Sequence, residues 1–89
     1  MNDETFLNER IKVIATFGSG LNPCTPLKFR RASGREVTIT EIGLRHPTTQ
    51  GRRMVHVFDV TDGQTDYRIE LDTERLVWHL TRESSDGGI

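Results

Sequence analysis

Apolar and polar positions alternate with a period of two along most of this chain, in short runs separated by turn-forming residues. The clearest runs, Met54 to Thr61 and Gln64 to Leu71, flank Asp62-Gly63. Alternation puts successive side chains on opposite faces of a strand, and Asp-Gly tolerates the positive φ of a tight hairpin. A two-residue turn there predicts Phe58 opposite Tyr67, His56 opposite Ile69 and Met54 opposite Leu71. If Asp72-Thr73-Glu74-Arg75 is a four-residue loop, a third strand returns with Leu71 opposite Leu76, Ile69 opposite Trp78 and Tyr67 opposite Leu80. Both turns select the same face, which matters because a one-residue slip inverts a whole strand. The expected core of this meander is therefore Met54, Phe58, Val60, Tyr67, Ile69, Leu71, Leu76, Trp78 and Leu80, with Val55, Val57, Arg68, Glu70, His79 and Thr81 outward. The same register sets Asp59 against Asp66, a like-charge pair that costs stability.

Upstream, Leu27 to Arg31 and Arg35 to Ile42 flank Ala32-Ser33-Gly34. A three-residue loop with Gly34 left-handed predicts a second hairpin, pairing Phe29 with Val37 and Leu27 with Ile39. Before it, Ile11, Val13, Ala15 and Phe17 alternate with Lys12, Ile14 and Thr16 as a first strand. Gly18 to Thr25 and His46 to Gly51 read as surface loops. The sum is an all-β chain, a single small domain of about six antiparallel strands. Such strands cannot stay flat and exposed on both faces, so they should curl into a small barrel or a two-layer sheet around Trp78 and Phe58. The domain is expected over residues 10–82, with a frayed or briefly helical stretch at 1–9 and a flexible polar tail at 83–89.

Composition limits the core. A chain of 89 residues, 34% of them hydrophobic, buries only about 60 to 65% of the surface it exposes unfolded. No apolar run approaches the roughly 20 residues of a helical membrane span, and the acidic N-terminus lacks the basic and apolar regions of a secretory signal, so a cytoplasmic setting without membrane contact is expected. Cys24 is the single cysteine and has no internal disulfide partner; its expected role is that of a small buried apolar side chain.

Charge changes the picture more. Residues 10–56 carry nine basic side chains against Glu36 and Glu41, a local balance of +7, whereas residues 57–89 balance to −5 and residues 1–9 to −3. The total of −1 thus conceals a separation that leaves a basic surface possible. Lys28 and Arg30 share one strand face, Arg31 and Arg35 flank the hairpin turn, and Arg45, Arg52 and Arg53 bracket the following loop; these seven are the candidate site for an anionic partner. Catalysis has little to stand on. His46, His56 and His79 fall on separate elements without metal-ligand spacing, and Gly18-Ser19-Gly20 lacks the lysine and helix of a phosphate loop, so neither enzyme activity nor a cofactor is expected. The leading expectation is a protein-interaction module, binding a partner or a second copy through its segregated basic and acidic surfaces. The second is binding of single-stranded nucleic acid, RNA above all, for which the expected inward aromatics leave only Phe6 to stack.

Gly34-Arg35 entering an apolar strand, Phe58 to Gly63, Tyr67-Arg68-Ile69 and the closing Leu76-Val77-Trp78 resemble small bacterial all-β domains of unknown function over about two thirds of the chain. That resemblance implies the fold and an accessory role, and it supplies no functional residues. Arg31 to Arg35 is also similar in spacing to the arginine motif of PilZ cyclic-dinucleotide receptors. The second motif of that family is approached only by Asp59 to Gly63, one residue short and with Thr61 in place of serine.

Overall fold

Two antiparallel meanders are joined through one long strand. The computed structural model describes residues 4–18 and 23–85, and in it β1 (Glu4–Phe17), β2 (Cys24–Arg30) and β3 (Glu36–Thr38) form the first meander. The second comprises β4 (Glu41–Gln50), β5 (Arg53–Thr61), β6 (Asp66–Asp72) and β7 (Val77–Ser84). The order across the sheet is β3-β2-β1-β7-β6-β5-β4, every neighbour antiparallel. The early half of β1 pairs with β7, from Glu4 opposite Ser84 to Ile11 opposite Trp78. Its late half pairs with β2, from Lys12 opposite Arg30 to Phe17 opposite Cys24. Bulges interrupt both pairings, between Phe6 and Glu9 and between Ile14 and Ala15, and bulges bend a strand and increase its twist.

The resulting seven-stranded sheet is all-β, as expected, and curls into a half-barrel. Its two edges approach at the β3–β4 link, where consecutive residues bond to opposite sides: Ile39 N–H donates to the Leu27 carbonyl (2.9 Å) and Thr40 N–H to the Thr61 carbonyl (2.9 Å). Ile11, Phe29 and Val37 from the first meander enclose the core with Phe58, Val60, Tyr67, Ile69, Leu71, Trp78 and Leu80 from the second. Phe29 meets Tyr67 edge-on at 5.2 Å, and Phe58 lies 5.6 Å from Trp78. These ring contacts fill the interior with large surfaces in fixed geometry.

The β2–β3 hairpin has the expected register, with Phe29 opposite Val37, and Gly34 holds φ at 93°. The meander keeps its expected face but shifts its register by two residues at each turn. Val60 faces Tyr67 and Phe58 faces Ile69, then Leu71 faces Trp78 and Ile69 faces Leu80. The cause is side-chain chemistry at the turns. Asp62 Oδ1 accepts the Gln64 and Thr65 N–H groups, both at 2.8 Å, and Thr61 Oγ1 accepts that of Gly63 at 3.0 Å, so a longer capped turn replaces the tight Asp-Gly one. Asp72 Oδ1 likewise accepts the Glu74 and Arg75 N–H groups. A shift of two preserves the face, because side chains alternate with that period.

Other expectations are corrected. Asp59 faces Arg68 rather than Asp66, so the like-charge pair does not occur. Met54 and Leu76, expected inside, are 43% and 74% exposed beyond the shifted registers, and Phe17 is exposed at the end of its strand. Val55 and Val57 do lie off the core face, yet they are buried because β4 and β6 flank them on both sides. The stretch from His46 to Gln50, expected as loop, belongs to β4, the seventh strand; the Gly43 bulge breaks its alternation, and Pro47 is tolerated because β4 is an edge. Residues 4–9 are strand rather than a frayed or helical stretch, and Glu83 and Ser84 close β7 rather than opening a tail. Ser19 and Gly20 of the glycine-rich loop, and residues 86–89 of the expected tail, lie outside the described residues.

Two stability measurements check this packing. Trp78→Ala should lower the unfolding free energy by about 3 to 5 kcal/mol in chemical denaturation. Leu76 holds a φ of 57° on the exposed β6–β7 turn, a left-handed backbone that costs a side-chain-bearing residue about 1 to 2 kcal/mol. Leu76→Gly should therefore be more stable than the parent, by up to about 1 kcal/mol, and Leu76→Val less stable, both read from chemical denaturation.

Candidate functional site

Alternation along β1, β2 and β3 turns Ile11, Val13, Phe29 and Val37 inward and so turns Arg10, Lys12, Ile14, Lys28, Arg30, Glu36 and Thr38 outward. Lys12 stands directly opposite Arg30, Ile14 opposite Lys28, and Arg10 follows two residues before Lys12 on the same face. Glu36 is the acid at this surface, receiving Arg30 at 2.7 Å and Lys28 at 3.4 Å, and the Arg30 guanidinium beside it holds its carboxyl below the usual range. Both pairs are exposed, where an ion pair contributes little. Four cations against one carboxylate leave this face positive. Arg10, Lys12, Arg30 and Arg31 line one shallow depression of about 210 Å³ beside the β2–β3 turn.

A second like-charge rung in the same sheet shows the contrast. Arg68 faces Arg82 on the outer side of β6 and β7, but Asp59 accepts Arg68 through two bonds (2.8 and 3.1 Å) and Arg82 through a third (3.4 Å), while Glu4 takes the other end of Arg82. That rung is compensated on both members. At the Lys12–Arg30 rung, the ion pairs among the described residues include Arg30 but not Lys12.

The seven residues expected to form one site are distributed over the fold. Lys28 and Arg30 share the outer face just described. Arg31 turns to the end of the half-barrel, where its guanidinium grips Glu9 through two bonds (2.9 and 3.2 Å) and reaches Glu83 at 3.1 Å; the Ala32 N–H adds a bond to Glu9. Arg35 is exposed beside the hairpin turn, and Arg52 is exposed in the turn between β4 and β5. Arg53 is paired with Asp72 at 2.8 Å. Arg45 points inward from β4, opposite Phe58, and donates to the Cys24 carbonyl at 2.8 Å.

Sequence reading passed over Arg10 and Lys12 as members of the basic face, since the long connection from β1 to β2 carries no register signal. It also passed over the open end of the half-barrel. There Phe17, Cys24, Arg45, Pro47, His56 and Leu71 line a groove of about 460 Å³ between the facing edges of β2 and β4. Burial pushes the Cys24 thiol above its ordinary pKa, and nearby Arg45 offsets part of that shift, so the thiol form is favoured.

Compared with known proteins, no family model, curated protein or solved structure matches the chain.

The Arg31 clamp gives a pH prediction. Hydrogen bonding from Arg31 holds the Glu9 carboxyl below its ordinary range despite burial, so it is ionised in the folded state at pH values where the unfolded chain already takes up protons. A depressed folded pKa contributes stability above the unfolded value of about 4.3 and loses it as pH falls through the folded value. Glu9→Gln should be less stable than the parent at pH 7, and the gap between them should narrow as pH is lowered below about 4.3, followed by urea midpoints at each pH.

Proposed function

We propose that this chain is a non-enzymatic binding module whose outer β1–β2–β3 face receives an acidic segment of a protein partner. The observation that carries the reading is the Lys12–Arg30 rung, flanked by Arg10 and Lys28 and answered, among the described residues, by Glu36 alone. Like charges directly opposed destabilise a sheet, and an anionic partner removes that cost on binding. Ile14, 55% exposed in the middle of this face, gives such a partner an apolar contact. The same surface offers single-stranded nucleic acid its phosphate contacts, but the exposed aromatics among the described residues, Phe6 and Phe17, stand toward the two ends of β1 rather than beside the Lys12–Arg30 rung, which favours the acidic protein segment.

The acidic half of the charge separation supports the same choice. Asp59, Asp72 and Glu83 of the second meander are each engaged by an arginine, so it presents less free negative charge than its composition implies. This weighs toward a separate acidic partner over a second copy docking head to tail. A cytoplasmic setting belongs to the same proposal, supported by the lone thiol of Cys24.

Titration of a glutamate-rich peptide and of unstructured single-stranded RNA across a salt series tests the reading. The peptide should bind at low salt, weaken as salt rises, and be lost in Lys12→Glu/Arg30→Glu. Tighter binding of the RNA would replace this proposal with the nucleic-acid reading. Binding of neither at low salt would remove both.

A further inference from the structure

The open end of the half-barrel holds an arginine whose charge has no acidic counterpart among the described residues. Arg45 is half-buried, its guanidinium 5.7 Å from the centre of the Phe58 ring, and its one described hydrogen bond goes to a neutral acceptor, the Cys24 carbonyl. Among the described residues, no ion pair includes it. A guanidinium carries five N–H donors in a planar fork that fits a carboxylate through two parallel bonds. Bonding to one carbonyl leaves donors for a second group. A partly desolvated cation without a counter-charge is costly, and a bound anion offsets that cost.

The surroundings select the rest of the ligand. Phe17, Pro47, Phe58 and Leu71 supply apolar wall, and the volume of about 460 Å³ lies in the usual range of small-molecule sites, about 300 to 1,000 Å³. A groove with apolar walls and one unneutralised guanidinium matches a molecule with an apolar body and one carboxylate end. We propose that the groove between β2 and β4 binds a small apolar carboxylate, its anionic end on Arg45 and its body along Phe17, Phe58 and Leu71. The site is separate from the outer basic face, so either can fail without the other.

A purely architectural Arg45, tying the edge of β4 to that of β2, is the competing account, and the two separate experimentally. Decanoate and decanol share a chain and differ in the head group, and Cys24, the single cysteine, sits in the groove as a built-in reporter. Calorimetric titration of the unmodified protein should show decanoate binding at least about tenfold more tightly than decanol, the size expected of a charge-assisted bond. Decanoate should also slow alkylation of Cys24 by iodoacetamide. Arg45→Gln keeps an N–H donor for the Cys24 carbonyl while removing the charge; it should lose that preference while its melting temperature stays near the parent's. Arg45→Lys, which keeps the charge and loses the fork, should bind decanoate with intermediate strength. Equal affinity for decanoate and decanol, no binding of decanoate at millimolar concentration, or full decanoate binding in a folded Arg45→Gln protein would each overturn the proposal.

Discussion

The fold depends on β1 serving two neighbours in succession. Its early residues pair with β7, the last strand, and its late residues with β2, so the first and last parts of the chain meet in one ladder. Without that strand, β2–β3 would be a hairpin too small to hold itself together and β4–β7 a curled sheet with an uncovered face. Through it, Phe29 and Val37 reach the same interior as Tyr67, Leu80 and Val60. The bulges in β1 serve this double role, because a flat 14-residue strand could not follow the curl.

The two ends of the half-barrel are finished with different chemistry. At one, Arg31 gathers Glu9 and Glu83 into a clamp joining the β2–β3 hairpin, β1 and β7. The charges there are matched, and bidentate geometry repays part of their desolvation. The Tyr67 phenol is also enclosed in the fold; burial pushes its pKa up, Asp62 adds to the rise, and Thr65 beside it partly offsets both. At the other end, β3 is too short to span the edge of β2, and among the described residues the gap toward β4 is crossed by the Arg45 bond to the Cys24 carbonyl. One arginine is neutralised by two acids, and the other is answered by a dipole and a ring. Their adjacency to strands of similar composition gave no hint of so large a difference in surroundings.

Charge segregation along the chain becomes a different pattern in space. Three acids of the second meander are engaged by arginines, Asp59 by Arg68 and Arg82, Asp72 by Arg53 and Glu83 by Arg31, so neutralisation there is partly local. On the outer face of β1 and β2 it is not, since the rung from Lys12 to Arg30 brings together residues far apart in sequence. The Arg68–Arg82 rung shows that this sheet can place an acid between opposed cations, which makes the lack of an ion pair to Lys12 among the described residues informative.

Much of the fold was legible in the alternation itself. The inward face of β5, β6 and β7 follows from Phe58, Val60, Tyr67, Ile69, Leu71, Trp78 and Leu80 alone, because parity survives any even shift of register. The β2–β3 hairpin was legible in full, since a glycine at the left-handed position fixes a local turn. The registers of the longer turns were not, because Asp62, Thr61 and Asp72 choose between turn lengths by hydrogen bonds whose geometry no pattern specifies. Nor was β4, in which a bulge and a proline hide the strand period. The sequence by itself determined which residues could face inward and where charge was concentrated, both local properties of order along the chain. Only the tertiary structure decided which cations became clamps, which stayed on the surface and which one turned into the open groove, because those outcomes depend on long-range pairing across β1 and between the edges of β2 and β4.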